Sequence, residues 1–359
     1  MTVSTDAIRQ TLDQHVDPLI GRGLVEAGAV HAVETGDAGV RVQLRLAFPA
    51  AGIREALAAS VAEEIRRVNG VEATVEVDWA IGSSATANNL SPLPGIRNII
   101  AVASGKGGVG KSTVAANLAL ALQAEGASVG MLDADIYGPS QPRMLGVQSV
   151  KPEAPDGKTM TPVQAHGLQD MSIGFLVDEE SPTIWRGPMV TQALQQLIGG
   201  TGWHDLDYLV IDLPPGTGDV QLSLSQRIPV SGAVIVTTPQ DIALLDARKG
   251  LRMFQRVGVP VLGVVENMSF HVCSQCGHHD PVFGSGGGQA LADQHEIELL
   301  GQLPLDLRIR EQADGGTPTV LADPDSDNAQ RYRAIARIAA ARLAYAAEEA
   351  FPDISVSDD

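Results

Sequence analysis

The residues with the clearest chemical meaning lie at positions 105–113, which read Gly-Lys-Gly-Gly-Val-Gly-Lys-Ser-Thr. This run satisfies the phosphate-loop pattern G-x-x-x-x-G-K-[ST]. Its glycines allow a tight turn that brings backbone N–H groups against phosphate oxygens, and the helix that follows adds the positive end of its dipole. We therefore predict that the whole loop binds a nucleotide, through Gly105, Lys106, Gly107, Gly108, Val109, Gly110, Lys111, Ser112 and Thr113.

The two lysines of this loop have different expected roles. Lys111 is placed to reach the β- and γ-phosphates, and the hydroxyl of Ser112 is placed to ligate Mg²⁺. Lys106 directly follows the first glycine, where it is poorly placed to act on its own nucleotide. We predict that Lys106 reaches across a twofold axis and stabilises transition-state charge on the partner's nucleotide, as an arginine finger does in trans.

Acidic residues follow two apolar runs that read as strands. Asp133 and Asp135 come after the first run, at the strand end where open α/β sheets bind ligands. We predict that Asp135 positions the attacking water or acts as general base, and that Asp133 supports the Mg²⁺ shell. Asp212 ends the second run, as does the Walker-B aspartate that holds Mg²⁺, usually through water. Gly216 is predicted to bring a backbone N–H to the γ-phosphate.

The chain contains two cysteines, Cys273 and Cys276, in a C-x-x-C arrangement followed by His278 and His279. In a cytosolic chain this spacing favours metal binding over a structural disulfide, and its place after a late strand disfavours a thioredoxin-like redox site. One chain cannot complete a four-thiolate site, whereas a symmetric dimer supplies 2 × 2 = 4 cysteines. The residues leave three alternatives: a bridging [4Fe–4S] cluster, a bridging zinc ion, or an intrachain zinc ion completed by a histidine.

Composition limits the partners of the chain. Its 359 residues carry 43 acidic and 25 basic side chains, for a net charge of −18. This charge opposes binding to nucleic acid or to an anionic membrane surface, and no apolar run approaches the roughly 20 residues of a membrane span. The first residues lack the basic and apolar regions of a signal peptide. We therefore expect a cytoplasmic protein with neither nucleic acid nor membrane among its partners.

The elements that must position these residues divide into two predicted domains. A small α+β domain over 1–80 combines helical spacing at 5–16 and 53–68 with alternating strands at 40–46 and 71–77. Small and proline-containing residues over 81–95 read as a linker. A P-loop ATPase domain is expected over 96–347, and an acidic tail over 348–359.

Apolar runs alternate with helical patterns in the second domain. Several runs are continuously apolar, which predicts an α/β fold with a mostly parallel sheet flanked by helices. The predicted strands lie at 99–103, 129–132, 208–211, 233–236, 261–265 and 299–303. The predicted helices include 112–124, 244–257 and 328–347.

Several segments together resemble one ATPase family. The run 106–112 is similar to the deviant Walker A motif of the family that contains the nitrogenase iron protein and the division-site and plasmid-partition ATPases. The segments at 133–140, 185–189, 212–219 and 267–269 narrow this to the Mrp/ApbC branch, the iron–sulfur cluster carrier ATPases. The resemblance covers about residues 96–345.

This resemblance implies roles for particular residues. Cys273 and Cys276 would share a [4Fe–4S] cluster between two protomers, Lys106 would be the signature lysine, and Asp135 would be the catalytic switch aspartate. Residues that recognise and line the adenine would be Asn267, Thr238, Pro239, Gln240 and the loop near Pro304. No independent physical argument gives Trp185–Met189 a role.

Residues 1–80 resemble the small iron–sulfur assembly domain that is often fused in front of such ATPases, through the segments 16–18 and 24–30. The family often has a cysteine after the segment that corresponds to 46–49, whereas Ala50, Ala51 and Gly52 follow here. We therefore expect a docking module without thiol chemistry.

The leading hypothesis is a homodimeric, Mg²⁺-dependent, slow ATPase that holds a [4Fe–4S] cluster and transfers it to apo-proteins. The alternatives are a zinc-stabilised regulatory ATPase and a positioning ATPase of the division-site or plasmid-partition type. The acidic surface opposes the last alternative, because it lacks the basic surface that DNA or anionic lipid requires.

Overall fold

A computed structural model describes residues 3–36, 39–84, 90–176 and 187–346. Contacts within the chain divide it into two units, one built from residues 1–84 with 340–359, and one from residues 85–339. The proposed tail over 348–359 and the residues Trp185 and Arg186 lie outside the described residues.

The first unit packs two helices against a small sheet. Its sheet has the strand order β1-β2-β3, with β1 antiparallel and β3 parallel to the central strand. Strand β2 alternates between buried and accessible residues, because one face packs on the helices and the other faces solvent. The elements are α1 (Thr5–Gln14), β1 (Val30–Gly36), β2 (Gly39–Leu46), α2 (Arg54–Asn69) and β3 (Ala73–Trp79).

Residues from the far end of the chain complete the core of this unit. Tyr345 is 8% exposed and meets the ring of Phe48 edge-on, with the centroids 6.2 Å apart. The guanidinium of Arg22 lies 5.3 Å from the Tyr345 ring centroid. Phe48 is fully buried, so part of its cover comes from the last described helix.

The second unit is built around a mostly parallel sheet, as predicted. In its described residues nine strands pair in the order β11-β10-β9-β4-β8-β5-β7-β6, with β12 also paired to β10. Strands β6 and β11 are antiparallel to their neighbours, and the other pairs are parallel. The strands are β4 (Ile96–Ala103), β5 (Val129–Asp133), β6 (Val163–Ala165), β7 (Leu168–Ser172), β8 (Leu206–Asp212), β9 (Gly232–Thr237), β10 (Val261–Val272), β11 (His279–Asp280) and β12 (Leu299–Pro304).

Helices cover this sheet. The helix that follows the P-loop is apolar around most of its circumference, which suits a helix buried on several sides. The helices are α3 (Lys111–Ala124), α4 (Gln141–Met144), α5 (Gly187–Gly199), α6 (Asp219–Arg227), α7 (Asp241–Arg256), α8 (Gly287–His295), α9 (Leu307–Asp314), α10 (Thr319–Ala322) and α11 (Asp327–Ala346). The fully buried carboxylate of Glu125, just after α3, accepts from Arg333 and Arg337 of α11, each at 2.7 Å.

The register of the parallel strands determines where the acidic residues meet. Asp133 at the end of β5 lies opposite Asp212 at the end of β8, and Asp212 also lies opposite Val102 of β4. The P-loop follows β4 directly. The carboxyl ends of three adjacent strands therefore bring the loop and both aspartates to one edge of the sheet.

Candidate nucleotide and thiol sites

A pocket opens over the P-loop at this edge of the sheet. Its walls come from the P-loop, from the loop after β5 and from the loop after β8. The lining residues are Ser104, Lys106, Gly107, Gly108, Gly110, Lys111, Ser112, Thr113, Asp135, Ser140, Met144 and Pro215. Most residues of the predicted phosphate loop, together with Asp135, therefore line one pocket.

The remaining glycine and valine of the loop are packed from behind. A Cβ atom at Gly105 would lie 2.2 Å from the carbonyl carbon of Asp246, so helix α7 requires a glycine there. Val109 is buried. Gly110 has a φ of 82° and directly precedes α3, where its left-handed conformation starts the helix. Close packing fixes the loop on both sides.

The ammonium group of Lys111 is held by acidic side chains. Lys111 is 6% exposed, pairs with Asp212 and lies 3.8 Å from the nearest carboxylate oxygen of Asp135. It also donates to the hydroxyl of Ser112 at 3.2 Å. The lysine, both carboxylates and the metal-ligating hydroxyl predicted from the sequence therefore form one cluster.

Asp133 lies behind the pocket and holds the loop that follows β5. Its carboxylate accepts from the backbone N–H groups of Asp135 at 3.1 Å, Ser140 at 2.8 Å and Gln141 at 3.0 Å, and from the hydroxyl of Ser172 at 3.2 Å. Burial and the nearby Asp212 carboxylate raise the pKa of Asp133 to about 7. Burial also raises the pKa of Asp135, against the opposing charge of Lys111.

Gln141 was not singled out from the sequence, although it occupies the centre of this network. Its side chain is fully buried, and its amide donates to Asp212 at 2.9 Å and to the backbone carbonyl of Ser112 at 3.0 Å. Its amide thus contacts Ser112 and Asp212, two of the three residues assigned to the Mg²⁺ site, and its backbone N–H contacts the third, Asp133. A glutamine after a proline-serine pair carries no recognisable motif, so only the three-dimensional arrangement reveals it.

The loop after β8 reaches the same pocket through Pro215. The backbone N–H of Gly216, predicted to approach the γ-phosphate, donates to the carbonyl of Ser104 at 3.0 Å. Gly216 has a φ of 106°, a conformation that favours glycine. This N–H must leave Ser104 before it can bind a phosphate.

The residues expected around the adenine lie just after β9, in the middle of β10 and at the end of β12. Thr238 and Pro239 are buried, and the Thr238 hydroxyl donates to the side-chain oxygen of Gln240 at 3.0 Å. Asn267 donates to the carbonyl of Val109 at 2.9 Å. Of this set, Asn267 thus directly contacts the P-loop.

Strand β10 connects the P-loop contact to the cysteines. The predicted strand ended at Val265, whereas β10 continues to Val272 and pairs with β11 to form a hairpin. Met268 has a φ of 55°, and the pairing with β12 shifts register between Glu266 and Phe270. In the sequence the apolar run ends where Glu266 and Asn267 begin, which is why the predicted strand was too short.

A buried glutamate holds the base of the hairpin. The Glu266 carboxylate has no exposed surface and accepts from the Ser269 hydroxyl at 2.6 Å, the Gly288 N–H at 2.5 Å and the Gln302 amide at 2.8 Å. Sequence analysis also missed this residue, because its three donors come from three different elements.

Cys273 and Cys276 lie in the turn of this hairpin, and both are free thiols. Cys276 is exposed and Cys273 is partly exposed. The turn closes through Cys273 N–H to the His278 carbonyl and Gly277 N–H to the Cys273 carbonyl, both at 2.9 Å. Backbone N–H groups of Gln275 and Cys276 lower the pKa of the Cys273 thiol, which favours the thiolate that binds metals.

The nearby histidines make other contacts. The His279 ring stacks on Phe270, with the centroids 5.0 Å apart, and Arg331 covers that Phe270 ring at 5.1 Å. The His271 ring contacts the Leu305 carbonyl at 3.1 Å. Within the described ranges, no group of three or more His, Cys, Asp or Glu side chains is arranged to hold a metal ion.

Comparison with known families decides between the possible classes of P-loop protein. Residues 95–340 match the family described as NUBPL iron-transfer P-loop NTPase, within ParA. The chain belongs to this iron-transfer P-loop NTPase family. Residues 5–77 match a second family, iron–sulfur cluster assembly protein.

Relatives in this family of iron-transfer NTPases are similar along most of the chain. An iron–sulfur cluster carrier protein of Escherichia coli K12 is 51% identical over 342 residues, which are 94% of this chain and 92% of the relative. That of Haemophilus influenzae is also 51% identical, over 92% of this chain and 89% of the relative. The mouse iron–sulfur cluster transfer protein NUBPL is 53% identical over 254 residues, 70% of this chain and 79% of that protein.

Solved structures share the fold of the NTPase unit. A nucleotide-binding protein of Archaeoglobus fulgidus in complex with ADP has a TM-score of 0.57 and 38% identity, covering 65% of this chain and 90% of that one. The Pyrococcus furiosus cell division ATPase MinD has a TM-score of 0.51 and 27% identity, covering 67% of this chain and 97% of that one. Across the described residues, the helices are too short or too polar for a bilayer span.

Proposed function

We propose that this chain is an ATP-dependent iron–sulfur cluster carrier. It binds and slowly hydrolyses ATP with Mg²⁺, holds a [4Fe–4S] cluster as cargo between two copies of the chain, and transfers it to apo-proteins. The observation that carries this proposal is the pair of free, solvent-accessible cysteines at the tip of β10, the strand that also contacts the P-loop through Asn267. The names of the bacterial and mouse relatives support the same function.

At the nucleotide, the chain's residues orient the phosphates and the attacking water. Lys111 exchanges its contact with Asp212 for the β- and γ-phosphates, and Asp135, whose pKa is raised by burial, orients the water and accepts its proton. The Ser112 hydroxyl and the Asp212 carboxylate are the oxygen donors that Mg²⁺ prefers, and Asp133 supports them. When bound, Mg²⁺ neutralises charge on the transferring phosphoryl group.

At the cysteines, two copies of the chain are needed. Cys273 and Cys276 supply two thiolates per chain, and two chains supply the four that a [4Fe–4S] cargo binds. Because both cysteines are accessible at a hairpin tip, the cysteines of a second copy can meet them across a twofold axis. Across the same twofold axis, Lys106 in the nucleotide pocket reaches the partner's nucleotide. Transfer is a ligand exchange without net redox change: thiols of the acceptor bind the cargo as thiolates in place of Cys273 and Cys276, and the protons that those thiols release pass to the freed cysteine thiolates.

Strand β10 supplies the connection between nucleotide and cargo. Asn267 contacts the P-loop carbonyl of Val109, and the same strand runs on to Val272, next to the first cysteine. We assign adenine recognition to Asn267 with Thr238 and Pro239, so that the nucleotide state biases the position of this strand. Cluster retention then depends on whether ATP is bound.

The net charge and the two domains of the chain support a proposal for its location and its partners. We assign it to the cytoplasm, with neither membrane nor nucleic acid as a partner, because the net charge is −18. The region over 1–80 serves as a docking module for donors or acceptors. A MinD- or ParA-type positioning role is the less supported function, since it requires a basic surface.

Anaerobic reconstitution with iron and sulfide tests the proposal. The expected product is a brown dimer with about four irons per two chains. Cys273→Ala should abolish cluster binding and keep nucleotide binding, whereas Lys111→Ala should do the reverse. A colourless protein that contains zinc alone when prepared without oxygen would contradict the proposal and support a zinc-stabilised ATPase. A strictly monomeric protein with every nucleotide would also contradict it.

A further inference from the structure

The Ser140 hydroxyl is a polar group of the nucleotide pocket that the proposed mechanism does not use. Ser140 lines the pocket, yet its oxygen is shielded from solvent and has no hydrogen-bond partner among the described residues. Its backbone is fixed, because its N–H donates to Asp133 at 2.8 Å. An unpaired buried hydroxyl costs free energy, so a rigidly held one in a ligand pocket is explained if the ligand completes its hydrogen bonding.

Ser140 shares its pocket with the lysine that is expected to reach the terminal phosphate. In P-loop proteins the backbone of the loop holds the inner phosphates, and the loop lysine reaches the β- and γ-phosphates. The Lys111 ammonium lies 3.8 Å from Asp135, and Asp135, Ser140 and Pro215 line the pocket together with the P-loop although they come from other loops. A phosphate beyond the β-position extends past the P-loop backbone, so these loops are the ones available to contact it.

The neighbouring residue links Ser140 to the predicted metal ligands. Gln141 donates to Asp212 and to the Ser112 carbonyl, and its backbone N–H, like that of Ser140, is bound to Asp133. The segment that carries the Ser140 hydroxyl is thus fixed relative to both Ser112 and Asp212. The oxygen itself is buried, so it reaches a phosphate by rotation about the Cα–Cβ bond of Ser140, while the anchored backbone fixes the point from which it turns into the pocket.

We propose that the Ser140 hydroxyl donates a hydrogen bond to the terminal phosphate of ATP and thereby makes the pocket select a nucleoside triphosphate over a diphosphate. This inference rests on the proposed function, since it requires that the pocket bind ATP. It adds a contact from the loop after β5 that responds to the γ-phosphate alone. Loss of that phosphate on hydrolysis leaves the hydroxyl without its partner.

Titration calorimetry with Ser140→Ala tests this contact. A hydrogen bond to a charged group corresponds to about a ten- to hundredfold change in affinity. We expect the Kd for Mg²⁺ with the non-hydrolysable triphosphate AMP-PNP to rise by that factor, and the Kd for ADP to stay within about twofold of wild type. Unchanged ADP binding also shows that the variant is folded. Ser60→Ala, on the exposed face of α2, is the matched control.

Two results would overturn the inference. If Ser140→Ala weakens the binding of ADP and of AMP-PNP equally, the hydroxyl acts on the inner phosphates or on the metal shell. If the binding of both nucleotides is unchanged, the hydroxyl does not contact the nucleotide. These results are distinguishable from failure of the proposed function, because that function fails if the wild-type protein binds no triphosphate or assembles no cluster. If the wild-type protein prefers AMP-PNP to ADP and Ser140→Ala keeps that preference, the serine contact is rejected while the proposed function stands.

Discussion

Asp170 gives the sharpest quantitative prediction, because it is a buried acid without a well-formed hydrogen bond. It lies in the middle of β7 with no exposed surface. Neither of its carboxylate oxygens has a well-formed hydrogen bond among the described residues, and the nearby backbone N–H of Met171 offsets only part of the effect of burial. Burial, and then the nearby Asp133 carboxyl, raise the pKa of Asp170 well above its ordinary value. The folded protein therefore holds a proton on Asp170 that the unfolded chain releases at lower pH.

The sign of the pH dependence follows from this difference. An aspartate in an unfolded chain titrates near 3.9, so its contribution to stability is fully present below that pH and is lost as the pH rises towards the folded-state pKa. Within that window the free energy of unfolding falls by at most about 1.4 kcal/mol per pH unit for each such group. Asp133, with a folded-state pKa of about 7, contributes a slope of the same sign up to that pH.

Asp170→Asn keeps the size of the side chain and removes its charge. Between pH 5 and 7 we expect the free energy of unfolding of the variant, relative to wild type, to increase by up to about 2.7 kcal/mol, the product of two pH units and the slope per unit. The assay is urea unfolding at half-unit pH steps, with the two proteins compared at each pH. The prediction concerns the change of their difference with pH, which is insensitive to any constant cost of the amide.

A second aspartate serves as the control. Asp156 accepts from the N–H groups of Thr159 at 2.6 Å and Lys158 at 2.8 Å, which lower its pKa. Both its folded and unfolded pKa values then lie below the tested range, so Asp156→Asn should shift stability by the same amount at every pH. Parallel stability curves for wild type and Asp170→Asn would refute the reasoning.

Three further predictions concern contacts in the two units. Gln141→Ala removes a donor to Asp212, so the Mg²⁺ concentration needed for triphosphate binding should rise by about tenfold or more in a metal titration; an unchanged requirement would exclude its positioning role. Asn267→Ala should make cluster retention, followed by visible absorbance, insensitive to added nucleotide, and a variant that still responds would show that coupling runs elsewhere. Tyr345→Ala should destabilise the first unit by about 2–4 kcal/mol in calorimetry, with the second unit unchanged; loss of both transitions together would argue against separate units.

Much of the nucleotide site was predictable because its chemistry is local. Residues 105–113 form a loop whose glycines and lysine have fixed offsets, and Asp212 ends a continuous apolar strand. The mostly parallel sheet was predictable for the same reason, since strands buried on both faces read as unbroken apolar runs. Both predictions rest on residues that lie close together in the sequence.

The rest depends on contacts between distant residues. Gln141 matters because it touches Asp212 and Ser112, and neither contact leaves a trace in local spacing. The hairpin that presents the cysteines escaped prediction because the apolar run ends at Val265, whereas the strand continues through the buried polar residues Glu266 and Asn267. Asp170 looks like an ordinary strand residue in the sequence, and only its neighbours in the fold show that it is buried without a well-formed hydrogen bond.

The closure of the first unit by Tyr345 has a consequence for biosynthesis. Phe48 leaves the ribosome 345 − 48 = 297 residues before the ring that covers it. At about 5–20 residues per second, that interval lasts roughly 15 to 60 s. During this time the Phe48 ring lacks part of its cover in the nascent first unit. The second unit ends at residue 339, only six residues before Tyr345. The region at the amino terminus, although it is synthesised first, is therefore completed only when nearly the whole chain has left the ribosome.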